Sequence, residues 1–150
     1  MKEIDFTLPR QKNLIPEGNR SRYIYLVLVE EALRQSWGPD ICADWEKSRW
    51  TADNPAFGQC VATALVVQKL FGGKIVKDSD NDHYWNVLKD GTEVDLSREM
   101  FNLSVVLVAK EDRTRDYMLK SERAIRAKTR ERYNILFGRV ADHLKFATGY

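Results

Sequence analysis

The sequence contains no long hydrophobic run, and this absence limits what the protein can be. No stretch approaches the roughly 20 consecutive apolar residues that a helix needs to cross a bilayer. The amino-terminal segment MKEIDFTLPRQ carries two acidic residues and has no apolar core of the kind that a secretion signal requires. We therefore expect a cytoplasmic protein that has no membrane partner.

An excess of charge of one sign is also absent. The chain has 24 basic and 22 acidic residues, a formal net charge of +2, which gives no general attraction to nucleic acid or to anionic lipid. A local exception is KSERAIRAKTRER, residues 120–132, which is rich in arginine and lysine. It lacks interleaved aromatic residues for base stacking. We interpret it as a solvated helix face and do not expect nucleic-acid binding.

Cysteine and histidine are scarce, with two of each. Cys42, Cys60, His83 and His143 show none of the paired spacings, such as CxxC, that are typical of structural zinc sites. No glycine-rich phosphate loop occurs, because FGG closes an apolar segment and does not open one. We therefore expect no metal and no cofactor. In a reducing compartment the two cysteines are expected to be free thiols.

The residues that are present predict one α+β domain over residues 1–150. Hydrophobic residues make up 43% of the chain, which is enough for a core. The first twenty residues are predicted to form an extended arm. Helices are expected over RYIYLVLVEEALRQSW with Ser21 as cap, from Gly58 to Gly72-Gly73, and from about residue 121 to 145. A helical turn is also expected between residues 41 and 47.

The middle of the chain reads as a meander of strands. KIVKD, HYWNVL and TEVDL have the residue types and turn signals of short strands. The pattern of SVVLVAK, residues 104–110, fits a strand or a buried turn equally well. We expect an antiparallel sheet of three or four strands, packed against the buried helix that carries Cys60 and flanked by the terminal helices.

Cys60 is placed where the second helix begins. Unpaired N–H groups and the helix dipole favour a thiolate over a thiol at this position. Gly58 would leave room beside the sulfur, and the N–H of Cys60 or the side chain of Gln59 could stabilise an oxyanion. The alternative is a cysteine that only packs in the core. Cys42 is interpreted as structural.

His83 and Asp95 lie at the far ends of the HYWNVL–TEVDL hairpin. A two-residue loop at Asp90-Gly91 would place them on opposite faces of the sheet. A three-residue loop, residues 89–91, would make them diagonal neighbours on one face and requires Gly91 with positive φ. Only the second loop permits a Cys–His–Asp arrangement, which is the pattern of an activated nucleophile.

Two aromatic residues are candidates for the walls of a substrate groove near Cys60. Trp50 and Trp85 have the size and the polar N–H that such walls often use. The alternative is a position in the core, where aromatic residues are found more often.

The segments FGQCVATALVV, HYWNVLKDG and TEVDLS resemble the transglutaminase-like branch of the papain-like cysteine enzymes. The resemblance implies a papain-like or transglutaminase-like core with Cys60 as nucleophile, His83 as base and Asp95 as orienting acid. Over most of its length the chain is similar to the small bacterial YunG-like family, for which no reaction is assigned. The function expected is a cysteine-dependent hydrolase or acyl-transferase acting on an amide or ester of a peptide, a protein or a small amide. The alternative is a non-catalytic module that binds a peptide or protein.

Overall fold

The computed structural model describes residues 3–4 and 20–148, and it describes side chains for residues 21–145. The strands are β1 (Glu3–Ile4), β2 (Lys74–Asp78), β3 (His83–Val87), β4 (Glu93–Val94) and β5 (Glu111–Arg113). The helices are α1 (Arg20–Ser36), α2 (Cys60–Phe71), α3 (Arg115–Lys120), α4 (Glu122–Arg126) and α5 (Thr129–Thr148). Short 3-10 turns occur at Pro39–Ile41, Lys47–Arg49 and Arg98–Met100. None of the helices within the described residues has the length and hydropathy needed to cross a membrane.

The strands form one sheet in the order β1-β4-β3-β2-β5. Strands β2 to β5 pair antiparallel, and β1 runs parallel to β4 at the edge. This arrangement confirms the predicted α+β class and the antiparallel sheet. The helix α2 contacts β3 on one side and α5 on the other, while α1 also packs on α5. The buried helix that carries Cys60 therefore lies between the sheet and the carboxy-terminal helix.

The two faces of the sheet bury different sets of residues. Tyr84 and Val94 join the main core with the helices, and the amide of Asn86 donates to the carbonyl of Ala64 in α2 at 2.9 Å. On the opposite face, Val76, Trp85 and Val87 form a smaller cluster that Leu107 covers. Since residues alternate along β3, His83 and Trp85 share a face, and it is the face opposite that of Tyr84.

The predicted helix from about residue 121 to 145 is interrupted, and Ser21 is not the cap of the first helix, as was predicted. Lys128 has φ +54°, a left-handed conformation that ends α4 before α5 begins. The carbonyl of Ala127, freed by the break, accepts a bond from Arg132 Nε at 2.7 Å. Ser21 lies inside the first turn of α1.

The segment at residues 104–110 is neither a strand nor a buried turn, so both alternatives are wrong. Val106 is 77% exposed, and Leu103 and Val108 are also exposed. The N–H of Val108 donates to the Asp78 carboxylate at 2.9 Å. That N–H is therefore not available to a sheet ladder, and pairing with β2 begins only at the end of the segment, where the N–H of Lys110 donates to the carbonyl of Lys77 at 2.9 Å. The predicted amino-terminal arm lies outside the described residues except for β1 and Arg20.

Candidate active site

Cys60 is the first residue of α2. It is 7% exposed and lines a cavity of about 100 Å³. The first N–H groups of a helix have no acceptor within the helix, so they remain available to a negative charge at this end. The loop before the helix turns through Gly58, whose φ is +75°. The sulfur therefore lies at the positive end of a helix and has access to a cavity.

The hairpin has the three-residue loop that the Cys–His–Asp hypothesis requires. Leu88 N–H donates to the Thr92 carbonyl at 2.8 Å, and Gly91 N–H donates to the Leu88 carbonyl at 2.9 Å. Gly91 has φ +88°. In this register Val87 is opposite Glu93, so Asp95 is a diagonal neighbour of His83. The predicted loop and register are confirmed.

His83 and Asp95 are directly bonded. The distance between His83 Nε2 and Asp95 Oδ2 is 2.7 Å. The second carboxylate oxygen of Asp95 accepts from the backbone N–H of Ser97 at 3.3 Å and from its hydroxyl at 3.4 Å. These three bonds fix the carboxylate, and the carboxylate in turn fixes the orientation of the imidazole.

The imidazole ring is also held by aromatic packing and is completely buried. Trp85 stacks on the His83 ring with centroids 5.6 Å apart and an interplanar angle of 23°. Phe101 contacts the same ring edge to face at 4.9 Å. The ring therefore has little rotational freedom, which is the condition for a general base with a defined position.

Electrostatics favour the protonated form of His83. Burial acts to lower the pKa of the imidazole, but the charge and hydrogen bond of Asp95 outweigh it, with a further contribution from Cys60, and the pKa is raised. Nδ1 has no partner with good hydrogen-bond geometry among the described residues. The side chain of Cys60 is nevertheless close enough to contribute to the raised pKa of His83.

Gln59 and Gly58 serve the neighbouring loop. The amide nitrogen of Gln59 donates to the carbonyls of Gly38 at 2.9 Å and Phe57 at 3.0 Å, so it is already engaged and is not the oxyanion donor in this arrangement. Gly58 lines the cavity, but a Cβ there would lie 2.6 Å from the sulfur of Cys42. The missing side chain of Gly58 therefore makes room for Cys42, and not, as the sequence suggested, for a substrate beside Cys60.

Neither predicted tryptophan lines the cavity beside Cys60. The indole N–H of Trp50 donates to the Pro55 carbonyl at 3.0 Å and holds its own loop together. Trp85 donates to Glu93 at 3.1 Å and lines a second cavity with Asp95. The aromatic residues at the Cys60 cavity are Trp45, Tyr84 and Tyr117. Trp45 lies in irregular structure, where sequence periodicity carries no information about direction.

Arg132 is the cavity residue that sequence reasoning missed. It belongs to the segment 120–132, interpreted above as a solvated helix face, yet it is only 8% exposed and lines the cavity with Cys60. That interpretation holds for Arg126 and Arg130, which are exposed, but it is wrong for Arg132. The helical period could have indicated that Arg132 is buried, because this residue lies four positions before Leu136 on the buried side of α5.

The two thiols are free, as expected. Within residues 21–145, no group of three or more histidine, cysteine, aspartate or glutamate side chains is arranged to hold a metal ion. What the site contains is a sulfur, an imidazole, a carboxylate and a buried guanidinium.

Comparison with known proteins places the chain in a family. The family model described as "YunG protein" matches residues 25–145, which include Cys60, His83 and Asp95. The chain belongs to the YunG family. A YunG relative from Bacillus subtilis (strain 168), named "Uncharacterized protein YunG", is 35% identical over 79 residues.

That match covers 51% of this chain and 64% of the length of the Bacillus relative. No solved structure matches the chain. Membership of the YunG family confirms the predicted resemblance to that family. The chemistry of the site must be argued from its geometry.

Proposed function

We propose that the protein is a cysteine-dependent hydrolase or acyl-transferase that acts on an amide or ester bond. Cys60 is the nucleophile, His83 is the acid–base group and Asp95 orients the imidazole. The order of these elements along the chain, a helix-start cysteine followed by a histidine and an aspartate on consecutive strands, resembles the core of the papain-like and transglutaminase-like enzymes. We propose the same core here.

One observation carries the proposal. The 2.7 Å bond between His83 and Asp95 leaves the other ring nitrogen without a hydrogen-bond partner in the part of the chain that the structure describes, and the side chain of Cys60, which begins a helix and lines a cavity, is close enough to act on the pKa of the same imidazole. The bond requires the three-residue loop, because a two-residue loop would have turned the imidazole to the opposite face of the sheet from the carboxylate.

The first half of the reaction forms an acyl-enzyme. The thiolate of Cys60 attacks the carbonyl carbon of the substrate, and a C–S bond forms as the carbonyl oxygen becomes negative. The N–H of Cys60 and the start of α2 stabilise that oxygen. The bond to the leaving amine or alcohol then breaks, and the leaving group takes its proton from the imidazolium of His83.

The second half releases the acyl group. Neutral His83 accepts a proton from water, or from an acceptor amine, as the oxygen or nitrogen attacks the thioester carbon. The C–S bond breaks, and the product is a carboxylic acid or a new amide. The sulfur leaves as a thiolate beside the imidazolium, which restores the starting state.

The cavity favours an extended substrate with an apolar group near the reacting bond. Trp45 and Tyr117 line the cavity and are about half exposed. Rings in this position offer apolar contact area to a side chain of a peptide or protein. A small amide with an aromatic or aliphatic group would use the same contacts.

Acyl-enzyme formation is the direct test. The protein is mixed with p-nitrophenyl acetate, and p-nitrophenol release and the mass of the intact protein are followed together. We expect a burst of p-nitrophenol and an acetyl adduct on Cys60. The adduct should disappear in Cys60→Ala and remain in Cys42→Ala, the matched control. An adduct that survives in Cys60→Ala would contradict the proposal.

A second candidate function is a binding module without turnover. The observation that favours it is the complete burial of His83, which leaves the imidazole out of direct reach of a substrate. In that case Trp45 and Tyr117 would hold a peptide segment, and Cys60 would form no acyl adduct with any ester.

A further inference from the structure

A buried positive charge lies at the cavity beside Cys60. Arg132 is 8% exposed and lines the same cavity as the sulfur. Its guanidinium donates to the carbonyls of Ala127 and Ile41, each at 2.7 Å, and to the hydroxyl of Thr129 at 3.4 Å. All three acceptors are neutral.

The guanidinium has no carboxylate partner. Within the described residues no aspartate or glutamate oxygen lies within ion-pair distance of Arg132, whereas Arg139, two turns further along α5, pairs with Asp40. An isolated charge inside a protein is costly unless a group of opposite charge is close to it. The position of Arg132 therefore points to an anion that is part of the site itself.

The other charged and titratable groups narrow the choice of that anion. Those that line the cavity with Arg132 and Cys60 are Glu46, Lys77, Asp82, Tyr84, Tyr117 and Arg123. Asp82 is already engaged, because both Arg123, at 2.7 Å, and Lys77, at 3.6 Å, pair with it. Burial raises the pKa of Tyr84, so its phenol carries no charge at neutral pH.

The groups whose negative charge acts most strongly on the pKa of Arg132 are Glu46 and the two cysteines. Burial lowers the pKa of Arg132, and the charges of Glu46, Cys60, Cys42 and, last, Asp44 act in the opposite direction. Cys42 is a neutral thiol at neutral pH, because burial and then Glu46 raise its pKa to about 11. The imidazole of His83 is paired with Asp95 at 2.7 Å.

We propose that Arg132 is a positioning residue that stabilises the negatively charged sulfur of Cys60, together with the imidazolium of His83. This inference rests on the proposed function, since it assigns a role in the same site. Arg132 does not touch the reacting carbon. It holds a fixed positive charge beside the sulfur both before attack and after the acyl group has left.

The test is the pH profile of alkylation, which reports charge on the sulfur without any substrate. Wild-type protein and variants are treated with iodoacetamide between pH 5 and 9, and the adducts on Cys60 and Cys42 are quantified separately by peptide mass spectrometry. Arg132→Gln should move the midpoint of the Cys60 profile upward by about one pH unit, which is about a tenfold loss of rate below the midpoint. Arg132→Lys, which keeps the charge, should restore most of the rate.

Arg139→Gln is the matched control. Arg139 lies on the same helix and also donates to a backbone carbonyl, that of Ser36 at 3.0 Å, but it does not line the cavity. A purely structural role of Arg132 would lower the melting temperature, as Arg139→Gln is expected to do, and would leave the Cys60 profile unchanged. If Arg132→Gln does not fold, citrulline incorporated at position 132 provides a neutral isostere that keeps N–H donors for the same carbonyls.

The outcomes separate the two proposals. An unchanged Cys60 midpoint in a folded neutral variant, with Cys60 still labelled faster than Cys42, overturns the role of Arg132 alone. Equal and slow labelling of the two cysteines in the wild-type protein overturns the proposed function and this inference together. An upward shift in the neutral variants, absent in Arg139→Gln, supports the inference.

Discussion

The two cysteines are both buried, yet their surroundings differ in kind. Cys42 is completely buried; its sulfur donates to the Phe57 carbonyl at 3.5 Å and accepts from Gln59 at 3.4 Å. Cys60 is almost as buried, but it begins a helix, lines a cavity and contacts an imidazole that is paired with Asp95.

The difference shows that burial by itself does not decide what a thiol does. Burial, and then the charge of Glu46, raise the pKa of Cys42 to about 11, because the smaller opposing effects of Arg132, Gln59 and Lys47 do not offset them. Around Cys60, by contrast, lie the start of a helix, the imidazole of His83 and, in the shared cavity, the guanidinium of Arg132. The environment, and not the exposed area, separates a packing cysteine from a candidate nucleophile.

Alkylation of the wild-type protein at pH 7 is the most direct test of the difference between Cys60 and Cys42. With a pKa of about 11, Cys42 has roughly one thiolate in 10⁴ molecules at this pH. We expect iodoacetamide to label Cys60 about 10³-fold faster than Cys42, as measured by peptide mass spectrometry. The same measurement in denaturant is the control and should bring the two rates together. Comparable rates in the folded protein would remove the distinction between the two sites.

Substitution of Gly58 tests how closely the protein packs around Cys42. In Gly58→Ala the new Cβ would lie 2.6 Å from the sulfur of Cys42, at a residue whose φ is +75°. Gly91→Ala is the matched control, because Gly91 has φ +88° and nothing within 4 Å of the Cβ position. We expect Gly58→Ala to lower the free energy of unfolding by about 3 kcal/mol and Gly91→Ala by about 1 kcal/mol. Urea denaturation measures both, and equal losses would show that the contact with Cys42 is not limiting.

Alkaline pH offers a second way to test Cys42. The pKa of this thiol is raised in the folded state, so its contribution to stability is fully present below the unfolded value, near 9, and is lost as the pH rises toward 11. The wild-type protein should lose about 2 kcal/mol more than Cys42→Ala over this range. Urea denaturation at each pH measures the difference. Cys60→Ala is the control and should show the same loss of unfolding free energy with pH as the wild-type protein. If Cys42→Ala also showed that loss, the pH dependence could not be assigned to Cys42.

The smallest expected effect is the change in the alkylation rate of Cys60 in Asp95→Asn. A neutral amide removes the charge that raises the pKa of His83, so fewer molecules carry an imidazolium beside the sulfur. We expect alkylation of Cys60 near neutral pH to slow by about tenfold, which corresponds to about one pH unit. Asp112→Asn is the control, since Asp112 is an exposed carboxylate that pairs with Lys74 on the same sheet. An unchanged rate in Asp95→Asn would show that the carboxylate does not act on the thiol.

The hairpin shows how far sequence reasoning could reach. From the sequence, the hairpin could have either a two-residue or a three-residue loop. Only the three-residue loop, with Gly91 at positive φ, brings His83 and Asp95 together. In the folded protein Asp90 accepts from the N–H of Thr92 at 3.0 Å and from Arg22 of α1 at 2.9 Å. Because Arg22 is far away in the sequence, no local pattern could have included its contribution to the choice.

Other features of the site were beyond local pattern for the same reason. The irregular course of residues 104–110 depends on a contact with a distant segment, and Arg132 connects the break at Lys128 with the distant carbonyl of Ile41. Asp78, for example, draws the N–H of Val108 out of strand pairing. Gly58 was expected to leave room for a substrate beside Cys60, but the space of its missing side chain is next to the sulfur of Cys42.

The sequence by itself determined the periods of the helices and strands, the start of a helix at Cys60 and the spacing that allows His83 and Asp95 to meet. These depend on backbone preferences and on the alternation of apolar residues, which act over a few positions. Only the tertiary structure decided that the start of α2 lies against the imidazole and that a buried arginine from the last helix shares its cavity. Such contacts join segments that are remote along the chain, and burial of the common core brings them together.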